Sequence, residues 1–484
     1  MNPYRNLISN TALFGLSTFG ARFLTFLLTP FYTRVLSSAE YGVTDLLLQT
    51  GNLIIPIASV GIANAVIRYG LEQTSDKCSV FTTGLLVTLA GFFLLLLAAP
   101  LLDRIAFLSG YLWLVLLYVL AANIHSVCNQ FARTMGHVRL FALDGVLRTV
   151  LTIVFNILLL AVFPMGVTGY VLANVLADGI TTVFVFLRAK QWRHLRLSAV
   201  NRRDTARMLR YSAPLVPNNL CGWIINISDR YLIALLVGNA ATGIYAVANK
   251  IPTILLTVAN TFSSAWQLSA LSEQPKAEKE RFFSNVFTVY SAIAFVVASG
   301  VILTAQISTR LLAAPDYYEA WRYVPVLTLA TTLACLGSFL SSIYMVELRS
   351  TATLVTTLLG AVCNLAGNFF LIQRWGSMGA AISTLVSYLL IFAVRAVHTR
   401  TMLRIRWDLP KFLLCFLLLG AQCIMMEAGA PLWPLWSSLC FLLMAASNFK
   451  PLRRAVKRAV CAPAPWDHAQ NAAGSRAPPR REQD

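Results

Sequence analysis

The residues of this 484-residue chain that raise a chemical question are charges lodged inside apolar stretches: Arg22, Arg148, Arg230 and Lys250, with Asp45, Asp144, Asp178 and Asp229. An ionisable group in hydrocarbon costs roughly 2.5–3.5 kcal/mol, so each should face a partner, a cavity or water. Asp144 and Arg148 are four apart, a spacing that predicts an ion pair on one helix face, reaching for the interface. Asp229-Arg230 has two open readings, a cavity group or a lock between neighbouring helices. Arg22 and Lys250 are favoured as cavity residues over structural pairs. A guanidinium can hold a phosphate through two parallel hydrogen bonds. Amide and hydroxyl neighbours suit a polyhydroxylated ligand: Gln49, Asn52, Asn218, Asn226, Asn249, Thr18 and Thr25. Asp45 and Asp178 read as counter-ions to these cations or as sites for a coupling cation. No nucleophile, metal or phosphate-loop motif (Walker A, GxSxG or HExxH) is present. The nine cysteines are scattered, with no CxxC pair, so neither a metal, a cofactor nor a disulfide framework is expected.

These residues must be positioned by membrane-spanning helices. The chain is 57% hydrophobic and 12% charged, against roughly 25% charge in soluble domains. Its apolar blocks are continuous and about twenty residues long, enough to cross a bilayer as helices. Fourteen such blocks fall near 7–30, 42–66, 81–102, 110–131, 141–163, 166–187, 211–237, 243–270, 284–308, 322–345, 351–373, 376–396, 412–430 and 432–449. With the N-terminus inside, the cytoplasmic segments hold thirty of the 39 Lys and Arg residues and the outer loops five. Arg395 is counted with the cytoplasmic group. This bias predicts a multi-pass plasma-membrane protein with both termini cytoplasmic. The net charge of +19 is then a topology signal with a share for lipid headgroups, not a sign of nucleic-acid binding.

The expected organisation is a six-helix lobe (1–187), a basic cytoplasmic loop (188–210) and a second six-helix lobe (211–398). Two further helices (399–449) and a basic, disordered tail (450–484) follow. Two pairs of outer turns suggest a repeat. LSSAEYGV (36–43) aligns with VGNAATGI (237–244), sharing Ala39/Ala240 and Gly42/Gly243. MGVTGYVLA (165–173) aligns with WGSMGAAIS (375–383) through a Gly-x-x-Gly turn. Pro56, Pro214, Pro217, Pro252 and Pro325 are expected to kink helices.

FYTRVLSSAEYGVTDLLLQ (31–49) and APLVPNNLCGWIINISDRYLIALLVGNAATGIYAVANKIP (213–252) resemble the polysaccharide-repeat-unit flippases. These form the polysaccharide branch of the multidrug/oligosaccharidyl-lipid/polysaccharide exporter superfamily. The resemblance rests on Tyr41-Gly42, on Pro217 with Asp229-Arg230-Tyr231, and on Gly243-Ile244-Tyr245. It implies an all-α membrane fold of about 14 helices: a V-shaped pair of six-helix repeats plus two C-terminal helices. It also implies a cavity lined by the first, second, seventh and eighth spans, placing Arg22, Lys250, Arg230, Asp45, Asp229, Gln49, Asn52, Asn226 and Asn249 at the substrate. The expected function is flipping of a polyprenyl-pyrophosphate-linked oligosaccharide to the outer leaflet by alternating access, coupled to a cation (Na+ or H+). The rivals are a lipid II flippase and a cation-coupled multidrug antiporter, which would want an acidic pocket. A glycan polymerase or ligase fits less well, because the longest outer loop, 309–321, offers only Asp316 and Glu319.

Overall fold

The computed structural model describes residues 28–460 except 73–74, 106, 260–261, 263–275, 348 and 430. The first span, with Arg22, and the tail beyond residue 460 therefore lie outside the described residues. The described chain is all helical. Nine of its helices are long and apolar enough to cross a membrane, and a bent pair makes a tenth.

The N-terminal lobe holds the short α1 (Thr29–Val35), the bent pair α2 (Ser38–Ala58) and α3 (Ile62–Gly70), and α4 (Lys77–Leu102), α5 (Leu112–Thr134), α6 (Val138–Ile157) and α7 (Gly166–Arg188). Ser37 starts α2 with a capping box: its hydroxyl accepts from the Glu40 N–H, and the Glu40 carboxylate accepts from the Ser37 N–H. The 42–66 block is not one helix. Pro56 weakens the end of α2, Val60 and Gly61 turn left-handed, and α3 leaves at 54°. Asp76 caps α4, whose most apolar window is only 6% buried. Phe93, Leu94 and Leu97 all point outward, as a face against lipid tails requires. Tyr118, Leu114 and Val115 of α5 pack with Leu47 and Ile54 of α2 and Val167 and Val171 of α7 to form the lobe's core.

The basic segment after α7 is more than a loop. Arg202–Ser212 forms an amphipathic helix, α8, capped by Asn201. Met208 and Ser212 are buried, while Arg207 stacks on Tyr69 and pairs with Glu72 at 3.0 Å. Ser79 donates to Asp204 at 3.1 Å. These contacts dock α8 on the first lobe.

The second lobe holds α9 (Leu215–Leu236), α10 (Asn239–Lys250), α11 (Lys276–Leu303), α12 (Ala305–Leu312), α13 (Val324–Val346) and α14 (Ser350–His398). The last is two antiparallel arms that turn at Gly376, where φ is 55° and ψ −141°. Asn364 of one arm donates to Thr384 of the other at 3.2 Å. The matching turn in the first lobe also has a glycine in the left-handed region, Gly166 at φ 54°. A Cβ on Gly169 would lie 2.7 Å from the Leu159 carbonyl oxygen, and one on Gly379 would lie 2.1 Å from that of Leu371. Both turns therefore need glycine twice, once for the left-handed backbone and once for close approach. Finally α15 (Leu409–Glu427) and α16 (Trp433–Val460) pack on α11. Gln422 links them, accepting from Ser299 at 2.8 Å and donating to the Ser437 carbonyl at 2.9 Å.

Candidate functional site

A cavity of about 540 Å³ opens among α9, α10, α13 and the two arms of α14, with Gln49 of α2 as its contribution from the first lobe. Its wall mixes Ile225, Leu256, Leu327 and Ile391 with Asp229, Arg230, Asn249, Thr331, Ser338, Thr384, Tyr388 and Arg395. Such a surface offers both apolar contact and hydroxyl, amide and guanidinium groups.

One end of the cleft between the lobes is shut. Gly42 of α2 and Gly243 of α10 meet backbone to backbone. A Cβ on Gly42 would lie 2.1 Å from the Asn239 carbonyl oxygen, and one on Gly243 would lie 1.9 Å from that of Ser38. The two repeated turns thus pair with each other. Rings seal the seam: Tyr41 packs edge-on against Tyr170 and Tyr317. Tyr317 donates to the Leu36 carbonyl at 2.8 Å, and the Ala314 N–H donates to Thr33 at 3.1 Å.

Below that seam α9 crosses onto α2. Arg230 pairs with Asp45 at 2.8 Å, both side chains nearly buried. Tyr231 bonds Thr50 at 2.7 Å, and the Trp223 indole N–H donates to the Gln49 carbonyl at 3.2 Å. Asp229 is 2% exposed. It accepts from the Tyr245 hydroxyl and from the Arg230 N–H, each at 2.8 Å. Among the described residues no cationic side chain is ion-paired with it. Asp229-Arg230 therefore does both things its sequence left open. Arg230 locks one lobe to the other, and Asp229 borders the cavity.

The remaining residues named from sequence divide. Gln49 and Asn249 line the cavity. Lys250 ends α10 between the lining residues Asn249 and Pro252. It makes no ion pair among the described residues. Asn52 is exposed and accepts from Tyr118 at 3.1 Å. Arg22 and the side chain of Asn226 lie outside the described residues.

One expectation is corrected. Asp144 and Arg148 do not pair. Asp144 is fully buried, with one oxygen 3.0 Å from His125 and 2.7 Å from the Asn129 amide, both on α5. Arg148 reaches α7 and forks onto Asp178 through two nitrogens. A buried carboxylate is better served by donors from a packed neighbour than by a same-helix cation that can reach solvent. Arg148→Ala should therefore lower thermal stability by about 3 kcal/mol, the low end for a half-broken buried pair because Arg148 is 40% exposed. Arg148→Ala with Asp178→Ala should recover part of that loss. Equal melting points for wild type and single variant would remove the pair from the lobe's energetics.

The burial of Arg395 was not foreseen: counted with the cytoplasmic charges although within the 376–396 block, it is 7% exposed in the last turn of α14. The apolar run IFAVRAV was the available signal, since it continues through Arg395 to Val397. Tyr388, Thr384 and Thr357 also line the cavity unforeseen, and single hydroxyls in an apolar run carry no mark of which face they occupy.

Solved structures share this architecture. The lipid II flippase MurJ in an inward closed conformation superposes with a TM-score of 0.72 at 11% identity, covering 92% of this chain and 99% of that one. An inward-facing multidrug resistance MATE family transporter of the MOP superfamily gives 0.64 at 16% identity over 80% and 98%. An outward-facing one gives 0.56 at 17% over 83% and 96%. At such identities the likeness establishes the fold, that of the superfamily expected from sequence. No curated protein matches the chain. A sequence-family description adds what the fold cannot: its match to residues 7–267, more than half of the chain, shows that this multi-pass membrane protein belongs to the polysaccharide biosynthesis protein family.

Proposed function

We propose that the protein flips a lipid-linked oligosaccharide from the cytoplasmic to the outer leaflet by alternating access, for surface polysaccharide synthesis. The observation that supports this most is the mixed apolar and polar cavity held under a glycine-to-glycine seam at the outer end. The seam can part and the cavity can hold sugars through amides, hydroxyls and Tyr388. The cavity's fixed charges also argue against a cationic drug as cargo. Asp229 faces Arg230 and Arg395, so the wall is not acidic.

Asp229 is the carboxylate we assign to the coupling cation. Asp45 and Asp178 are already held by Arg230 and Arg148, whereas Asp229 has only hydrogen-bond donors. The direct test is reconstitution into proteoliposomes with a fluorescent polyprenyl-pyrophosphate oligosaccharide, read by its exposure to an added glycosidase. Lipid II and a cationic dye serve as rival cargoes. Flipping of the oligosaccharide, driven by a sodium or proton gradient, is expected. Asp229→Asn should retain binding but lose the gradient dependence. Preference for lipid II, or dye efflux, would replace the assigned cargo. Reporter fusions within 188–210 and after Lys450 should both read cytoplasmic, and an outer reading at either would reverse the proposed direction.

A further inference from the structure

We propose that Arg395 is an anion-binding residue of the cavity, which takes the phosphoryl group of the lipid carrier. This rests on the flippase reading above and names a contact for it.

A guanidinium has five N–H donors. In Arg395 three are engaged: Nε with Thr356 Oγ1 at 3.0 Å, one η nitrogen with the Gly337 carbonyl at 3.0 Å, and the other with Thr357 Oγ1 at 2.9 Å. All three acceptors are neutral. None of the ion pairs among the described residues includes Arg395. Each η nitrogen keeps one N–H beyond these bonds, and the residue borders the cavity beside Thr357, Tyr388 and Ile391.

A buried cation without an anion is costly, by several kcal/mol even after relaxation. The partial negative charge at the end of α14, three residues on, offsets only a fraction of that. The three bonds fix the guanidinium between α13 and both arms of α14 without neutralising it. An oxyanion arriving through the cavity completes the site, and a planar fork suits a phosphoryl group in particular. Its position fits a headgroup. Arg395 lies at the end of the helix from which the basic run Arg400, Arg404, Arg406 follows. A phosphate held there leaves the middle of the cavity to the sugars.

The experiment uses the full chain in phosphatidylcholine nanodiscs, with geranylgeranyl pyrophosphate as probe and geranylgeraniol and phosphatidylglycerol as controls. Binding is followed by native mass spectrometry and melting point. Wild type should bind the pyrophosphate at least about tenfold more tightly than the alcohol, as one or two charge-assisted hydrogen bonds would give. Arg395→Gln should erase most of that preference and leave the alcohol unchanged. Arg395→Lys keeps the charge but loses the fork, and serves if the glutamine variant fails to accumulate. It should bind the pyrophosphate less tightly than wild type and more tightly than the alcohol. Unchanged pyrophosphate binding in either variant overturns the assignment and leaves Arg395 a clamp, with the flippase reading intact. Wild type that does not distinguish pyrophosphate from alcohol overturns both. Equal competition by phosphatidylglycerol assigns the site to an ordinary phospholipid headgroup and removes the carrier.

Discussion

Gly42→Ala, or Gly243→Ala, should arrest flipping while the protein remains inserted and abundant. Each adds one methyl group where there is no room: the nearest atom is a backbone carbonyl of the facing helix, at 2.1 Å for Gly42 and 1.9 Å for Gly243. A side chain could rotate away, but a helix backbone cannot. The ends of α2 and α10 that meet at this seam must therefore separate, and the ring contacts among Tyr41, Tyr170 and Tyr317 loosen with them. On the proposed alternating access, the substitution acts on one of two states, so its cost moves the population toward the form in which this seam is open. A penalty of about 3 kcal/mol would shift the ratio of states by roughly 150-fold. Spin labels at the exposed positions Val35 and Val237 should report a longer distance in the alanine variants. Export should fall by at least about tenfold, the equivalent of 1.4 kcal/mol. Wild-type export together with an unchanged label distance would show that this seam does not close during transport.

The Asp45–Arg230 pair carries the second large effect, because both groups are nearly buried and they belong to different lobes. Arg230→Ala leaves Asp45 as an uncompensated charge and should cost about 3–5 kcal/mol of stability. Arg230→Ala with Asp45→Ala should restore much of it, since removing both charges also removes their desolvation cost. The pair ties α2 to α9, so the double variant should also open the outer side more readily. If the double variant melts no higher than Arg230→Ala alone, the two residues are not coupled as the geometry has them.

Much of this architecture is written in the sequence. Apolar length alone locates most spans, and the matched turns at Gly42 and Gly243 suggest the repeat, but that their two backbones touch shows only in the fold. Residue partners across helices are a different matter. The i, i+4 spacing of Asp144 and Arg148 speaks only of neighbours on one helix, whereas their partners, His125 and Asp178, lie 19 and 30 residues away. A basic residue close to a helix end looks interfacial, and the burial of Arg395 comes only from its packing against Gly337, Thr356 and Thr357. Pro56 announced a kink, but not that Val60 and Gly61 would complete it.

The docking of α8 has a mechanical consequence. Because Arg207 and Asp204 fasten this helix to the first lobe, the second lobe begins only at Leu215, after Ala213 and Pro214. Three peptide steps span on the order of 10 Å when fully drawn out, and the proline stiffens them further. This short strap abuts the α2–α3 bend, where Gly61 faces the Ser212 carbonyl and Val216. It acts as a fulcrum: the lobes can swing about it but cannot slide apart there. On the proposed function, a long lipid tail would enter and leave by the opposite flank.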